Sequence, residues 1–396
     1  MWLAAMLAAS LLACAATAQA APGIAHDEQV FKADGSSWRL SVPAGYRLEL
    51  AAEMDGPRML ALAGDGALLA GSVSKNIYRL EPPYTKAEVL AVLDGFPHGV
   101  ALHDGDLLVA RTNGLYRAPY RPGRGARLTG KDFRRITPLP TGGHPSRTVA
   151  VGPDGRIYLS LGISGNCSDE YTGGDYDFDD YRGGVLVLAQ GNGKARWRPY
   201  ASGLRNPVGF DWHPDTGVLY ASNHGPDHHG YDLPPEYFSR LDEGSFHGMP
   251  WFQFNGREVI RDDCIGRAPP RTDVMPPVAT FPARNGPMGV AFVPRGAGDP
   301  AWAGAAVVAL HGSWATKPRG GWVGPRASRR PPWLALVRVG KDGAAHVEPL
   351  VEGFQNAAGK RLARPVGVVF GADGALYFSS DGGAIEGLFR LARSGH

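Results

Sequence analysis

One pattern recurs six times along this 396-residue chain: a short polar entry, an apolar strand, a Gly/Asp turn and a second apolar strand. It reads PRMLALAGDGALLAGS at 57–72, PHGVALHDGDLLVART at 97–112 and SRTVAVGPDGRIYLSLG at 146–162. It continues as RNPVGFDWHPDTGVLYASNHG at 205–225, GPMGVAFVPRGAGDPAWAGAAVVALHG at 286–312 and RPVGVVFGADGALYFSSDGG at 364–383. Asp-Gly turns between short apolar runs make β-hairpins, and a single hairpin cannot bury its faces alone, so repeats of this size must stack. No stretch alternates as an amphipathic helix, and 55 glycines with 33 prolines favour many short strands joined by turns. The fold expected is all-β: a six-bladed β-propeller with four-stranded blades and long inter-strand loops. An open sandwich would not need six similar hairpins. Spacings of about 40 to about 80 residues between copies place insertions in the loops.

The repeat also predicts where chemistry gathers. The residues before the first strand of a hairpin and after the second lie at the same end. Six hairpins around an axis therefore bring these segments to one face, beside the channel. The entries hold Arg58, His98, His144, Arg205, Asn206 and Arg364, and the exits hold Asn166, His224, Asp227, His311 and Asp381. Any one of them alone reads as a solvated hairpin end. Together, guanidinium and imidazole groups converging on one channel mouth read as a site for an anionic ligand with a base.

Residues 1–21 form an apolar run ending in Ala-Gln-Ala, expected to be a cleaved signal peptide, with residues 22–396 a single propeller domain. The expected destination is the periplasm or the exterior; anchoring at Cys14 as a lipoprotein is the minority reading. No further run is apolar enough to span a bilayer. A formal net charge of +3 gives no electrostatic case for nucleic acid. Of the three cysteines, Cys167 and Cys264 would remain after cleavage, and an oxidising compartment would permit a disulfide between them. With no His pair recognised beside either, they do not read as a zinc site.

With those motifs in view, the chain resembles the soluble PQQ-dependent glucose/sorbosone dehydrogenases, nearest to the sorbosone branch. HPSRTVAVGPDGRIYLSLG (144–162) and GLRNPVGFDWHPDTGVLYASNHGPD (203–227) carry the likeness, with LPPEYFSRLDEGSFHGMPW (233–251), VVALHGSW (307–314) and RPVGVVFGADGALY (364–377) following in order. The resemblance spans roughly residues 50–392. It implies oxidation of an aldose or related sugar at C1, with hydride passing to PQQ and electrons leaving to an external acceptor, since no haem-attachment Cys-x-x-Cys-His is present. It implies His144 as general base, a role suited to an imidazole. Arg205 would steady developing charge, and Arg205, Asn206 and Arg364 would hold the planar tricarboxylate, which guanidinium forks suit. His224 and His311 are expected to line the cofactor, His98 the substrate. The Gly225 and Pro226 carbonyls are expected to hold Ca²⁺, an oxygen-seeking cation.

Two positions depart from the family pattern: His311 stands where glucose dehydrogenases have a lysine, and Val366 where they have a second closing arginine. Asp175, Asp177 and Asp179 imitate the opening of an EF-hand loop, but Asp180 occupies the place of its turn glycine, so a solvated acidic loop is expected. Tyr171, Tyr176 and Tyr181 offer rings for sugar stacking. The basic 317–332 segment is expected as a solvated loop, with an acidic electron-acceptor protein or an anionic sugar as the alternative partner. Two other functions stay open: a calcium-dependent propeller lactonase, which would want inward carboxylates, and a non-catalytic propeller binding carbohydrate or protein.

Overall fold

A computed structural model describes residues 23–123, 127–172, 182–191, 194–340 and 343–395. The expected leader with Cys14, and Tyr176, Tyr181 and the acidic residues 175–180, lie outside the described residues.

Six sheets of four or five strands, mainly antiparallel, stand around one axis. Blade 1 comprises Pro57–Leu62, Leu68–Ser72, Asn76–Leu80 and Glu88–Val92. Blade 2 is Gly99–His103, Asp106–Arg111, Gly114–Pro119 and Arg134–Pro138, and blade 3 is Val149–Val151, Ile157–Leu161, Gly184–Gly191 and Lys194–Ser202. Blade 4 is Pro207–Trp212, Leu219–Asn223, Glu236–Leu241 and Ala279–Phe281. Blade 5 is Pro287–Phe292, Ala306–Leu310, Trp333–Val339 and Ala345–Val351. Blade 6 takes Pro365–Phe370, Leu376–Asp381 and Glu386–Arg393 from the end of the chain and Tyr46–Glu53 from its beginning. That last pairing, running from Gly387↔Glu53 to Arg393↔Tyr46, closes the ring.

The recurring Val/Met-Gly in the first strands follows from how tightly these strands meet at the axis. A Cβ at Gly209 would stand 2.1 Å from the Met288 carbonyl oxygen, and one at Gly289 2.5 Å from that of Val366. Only a residue without a side chain lets neighbouring backbones approach this closely. Prolines open four of the inner strands, and the ladder skips a step just after each, as between Pro207 and Phe210 and between Pro365 and Val368. The amide freed by that step is capped by a serine of the second strand: Gly209 N–H donates to Ser222 (3.0 Å) and Gly367 N–H to Ser379 (2.8 Å). Both hydroxyls then donate to the adjacent blade, at Met288 O and Arg58 O, so the Ser in Leu-Tyr-x-Ser stitches blade to blade.

At the turn face, Tyr158 and Tyr377 donate to Asp154 and Asp373 of their own Pro-Asp-Gly and Ala-Asp-Gly turns, at 2.8 and 2.9 Å. Between blades lie apolar seams; the largest joins Trp38, Leu336, Phe354, Phe378 and Phe389, each such side chain contributing about 1.5–3 kcal/mol on burial. The uneven spacing of the repeat has a structural source. Blade 4 carries a long excursion between its third and fourth strands, with a hairpin of Phe252–Phe254 and Val259–Arg261, and Ser245–Phe246 pairs in parallel with the edge of blade 3.

Candidate functional site

The face opposite the Asp-Gly turns gathers the expected polar set, in two groups. In the first, Asp381, at the end of blade 6's second strand, accepts from Arg58 of blade 1 through Oδ2 and faces His311 Nε2 of blade 5 at 2.7 Å through Oδ1. Arg364 Nη2 lies 2.8 Å from His311 Nδ1. A guanidinium only donates, so Nδ1 accepts and Nε2–H donates to Asp381, which fixes the neutral tautomer. Burial, only partly offset by Asp381, pushes His311 down to about 4. Burial by itself would raise Asp381, yet His311, Arg58 and Arg364 together hold its carboxyl well below the usual range. Arg364 otherwise bonds the carbonyls of His311 and Gly312.

His98 belongs beneath this group. Its ring is fully buried, with Nε2 3.3 Å from Arg58 Nη2 and Nδ1 3.2 Å from the Arg147 carbonyl oxygen. The expectation that His98 touches substrate is therefore corrected: both nitrogens are engaged and no edge reaches solvent, so it props Arg58.

The second group lies across blades 3 and 4. His144 is anchored through Nδ1 to the Ile163 carbonyl oxygen, which makes Nδ1 the protonated nitrogen and Nε2 the one with the lone pair. Nε2 makes no hydrogen bond among the described residues. Burial and then the charge of Arg205 push His144 down to about 4. The loop that carries it is pinned by Arg147, which donates to the carbonyls of His144 (2.6 Å), Ser146 (2.8 Å) and Pro140 (2.9 Å). A Cβ at Gly162 would lie 2.6 Å from Asn206 Oδ1 and 3.0 Å from His144 Cβ, so the glycine leaves room for imidazole and amide side by side. Asn206 is 5% exposed and its Oδ1 has no partner among the described residues, a buried acceptor left unsatisfied.

Arg205 donates to Asn166 Oδ1 (3.0 and 2.7 Å) and to Asp227 (3.0 Å). His224 links the groups: its Nε2 is 2.8 Å from the Pro287 carbonyl oxygen, and a Cβ at Gly286 would meet both His311 Cβ (3.8 Å) and His224 Cε1 (4.0 Å). Burial, with the charge of Arg205 adding to it, pushes His224 down to about 3. At neutral pH the imidazoles are uncharged, and the guanidiniums of Arg58, Arg205 and Arg364 outnumber the carboxylates paired with them. The residues present fit a planar polyanion.

The expected calcium ligands are a different matter. Gly225 N–H donates to Glu236 (2.6 Å), but the Pro226 carbonyl oxygen accepts from Arg284, whose side chain is 1% exposed and also bonds Gly230 and Leu233 carbonyls and Asp227. A dication placed on the Pro226 carbonyl would stand against a buried guanidinium. Calcium does not fit on the Pro226 carbonyl, and the assignment of Pro226 is corrected on that ground. Glu236, buried and pushed up to about 7 by that burial, also accepts from Gly286 N–H (3.3 Å). Among the described residues, Asp227, Glu236 and Asp381 are thus committed to arginine, histidine or backbone partners, unlike the inward carboxylates that a calcium-dependent lactonase would want.

Two further expectations change. Tyr171 offers no ring to a sugar, because it is buried edge-on against Phe246 and Trp251. The basic 317–332 segment is partly docked: Arg330 lies 4.2 Å from the centre of the Tyr231 ring and pairs with Asp232. Sequence reasoning missed Arg147, Arg284 and Glu236; only the position of Arg147, three residues after His144, offered a signal.

Residues 131–313 match the glucose/sorbosone dehydrogenase family. This segment contains His144, Arg205, Asn206, His224 and His311 and omits Arg364. A curated relative, an uncharacterized protein of Borreliella burgdorferi, is 29% identical over 189 residues, covering 46% of each chain, so the match spans about half of that relative's length. The calcium structure of a Trichoderma reesei family AA12 carbohydrate-active enzyme superposes with a TM-score of 0.71 at 18% identity, covering 89% of this chain and 96% of that one. The holo PQQ domain of a Coprinopsis cinerea pyranose dehydrogenase gives 0.67 at 20% identity, over 90% and 97%. The apo form of the soluble aldose sugar dehydrogenase of Escherichia coli gives 0.60 at 16% identity, over 88% and 99%. At these identities the likeness establishes the propeller.

Proposed function

We propose that this chain is an exported quinoprotein that oxidises an aldose or related sugar at C1, with His144 as general base. The observation that carries this reading is the disposition of His144: Nδ1–H spent on the Ile163 carbonyl, Nε2 without a partner, Asn206 and Arg205 beside it. The match of residues 131–313 and the propellers of sugar dehydrogenases support it.

Arg205, Asn206 and Arg364 would hold pyrroloquinoline quinone, with His224 and His311 lining it. When bound, that group supplies a two-electron acceptor. His144 Nε2 takes the proton of the anomeric hydroxyl as the C1–H bond is lost, a service worth about 10²–10⁴-fold in rate. Arg205, fixed by Asn166 and Asp227, stabilises negative charge that develops beside it. An anion seated against Arg205 also offsets the charge that, after burial, depresses His144. Electrons then leave to an external acceptor, a cytochrome, a quinone or a dye.

The test is a titration of the purified protein with pyrroloquinoline quinone followed by absorbance, then dye reduction with a panel of aldoses. Saturable binding and sugar-dependent reduction are expected, with His144→Ala binding the quinone but turning over little. Absence of both binding and reduction would overturn the proposal, and hydrolysis of lactones without added quinone would favour the hydrolase.

A further inference from the structure

A second constellation stands on the same face, outside the His144 centre. Cys167 follows the second strand of blade 3, His228 and His229 follow that of blade 4, and Asp262 and Cys264 lie in the blade 4 excursion. The sulfurs of Cys167 and Cys264 and a ring nitrogen of His228 all lie within 4.8 Å of one another, and so do donor atoms of His228, His229 and Asp262. The two cysteines are not bonded to each other. Chain segments 61 residues apart have been brought together to place a thiol beside an imidazole. The absence of a neighbouring His pair inferred from sequence is corrected: the pair is His228-His229.

The spacing suits a metal. Cys167 Sγ lies 3.7 Å from His228 Nδ1 and 3.9 Å from its Nε2, so the ring would turn to point Nδ1 at a shared cation. Ligands on tetrahedral zinc, with bonds of about 2.3 Å to sulfur and about 2.0–2.1 Å to nitrogen, stand roughly 3.5–3.8 Å apart. The rest of the site is built in the manner of a metal centre. The Asp262 side chain, 2% exposed, lies 3.0 Å from Nε2 of His228 and 3.0 Å from Nε2 of His229, and accepts from Cys264 N–H at 3.1 Å. A carboxylate on the far nitrogen of a ligating imidazole fixes its tautomer and aim. Phe246, Trp251 and Ile265 pack behind the sulfurs, while both histidines are exposed, which gives an entry path. Thiolate and imidazole donors select a soft d¹⁰ cation over calcium or magnesium.

We propose that Cys167, Cys264 and His228 form a Zn²⁺ site, with Asp262 orienting His228 and a solvent molecule in the fourth position. Binding displaces the two thiol protons to solvent and changes no oxidation state. Cys167 follows Asn166 and His228 follows Asp227, and both Asn166 and Asp227 hold Arg205. The metal would therefore tie together the two loops that aim this arginine.

Co²⁺ titration of the reduced full-length protein, without quinone or sugar, tests the site independently of sugar oxidation. A single equivalent is expected to give thiolate-to-cobalt charge-transfer absorption in the near ultraviolet and tetrahedral d–d bands, both displaced by Zn²⁺. The Cys167→Ser/Cys264→Ser double variant should remove the charge-transfer band while circular dichroism shows the propeller intact. Asp262→Asn should weaken binding about 10–100-fold while keeping the band. Failure of the reduced protein to bind, or binding without a thiolate band, would overturn the proposal. So would a Cys167–Cys264 disulfide that re-forms after reduction despite excess Zn²⁺.

Discussion

The two halves of the His144 face are built from the same residue types and differ in what is left unspent. In the group of blades 1, 5 and 6, the Asp381 oxygens and both His311 nitrogens have partners, and Arg58 and Arg364 each donate within it. Across blades 3 and 4 the scaffold is also fixed, but His144 Nε2 and Asn206 Oδ1 are left without partners among the described residues. Acceptors already paired hold shape and charge; acceptors left unpaired can act on a ligand. Under the proposed function, this difference would give anchoring to the first half and proton transfer to the second.

The sharpest way to break this contrast is His144→Ala, expected to lower quinone-supported sugar turnover by about 10²–10⁴-fold with an unchanged melting temperature. Asp381→Asn should do the reverse. It removes one partner of a buried charged cluster, a loss of about 3–5 kcal/mol, visible as a lower denaturation midpoint. Arg205→Lys should weaken quinone binding, measured by titration, because one ammonium cannot reproduce the fork held by Asn166 and Asp227; a loss of about 1–3 kcal/mol is expected.

Acid should erode the site in sequence. His144, His224 and His311 have folded-state values near 4, 3 and 4, below the roughly 6.5 of an unfolded imidazole. The unfolded chain therefore binds more protons in that window, and stability falls as pH drops from about 6.5 toward 4. The Asp381 carboxyl, held low, contributes stability above the unfolded carboxylate value of about 4 and loses it below. Melting temperature against pH checks both limbs, and His311→Gln should flatten the upper one. The smallest effect is expected of His98→Gln: about 1 kcal/mol of stability from a looser Arg58, with turnover close to that of the unaltered chain.

Much of this was legible beforehand for a physical reason. Hairpin turns and inner-strand glycines are local, so the six blades and the convergence of Arg58, His144, Arg205, His311, Arg364 and Asp381 could be read from spacing. What was not legible depends on contacts between distant segments. Nothing in Pro-Ala-Arg-Asn-Gly announces that Arg284 reaches back 58 residues to the Pro226 carbonyl. Cys264 meets Cys167 only because the blade 4 excursion folds over the neighbouring blade. His98 obeys the repeat, yet its depth beneath Arg58 is set by packing that the repeat does not encode.

The Tyr46–Glu53 strand has a consequence for how the molecule comes into being. An edge that waits for its partner until Glu386–Arg393 is made leaves blade 6 as an incomplete sheet with open hydrogen-bonding groups on its rim. The ring cannot lock until Tyr46–Glu53 meets Glu386–Arg393, so its closure is all or nothing. Trimming the tail from Glu386 onward would leave five blades with their sequences intact and no closed circle to hold them in.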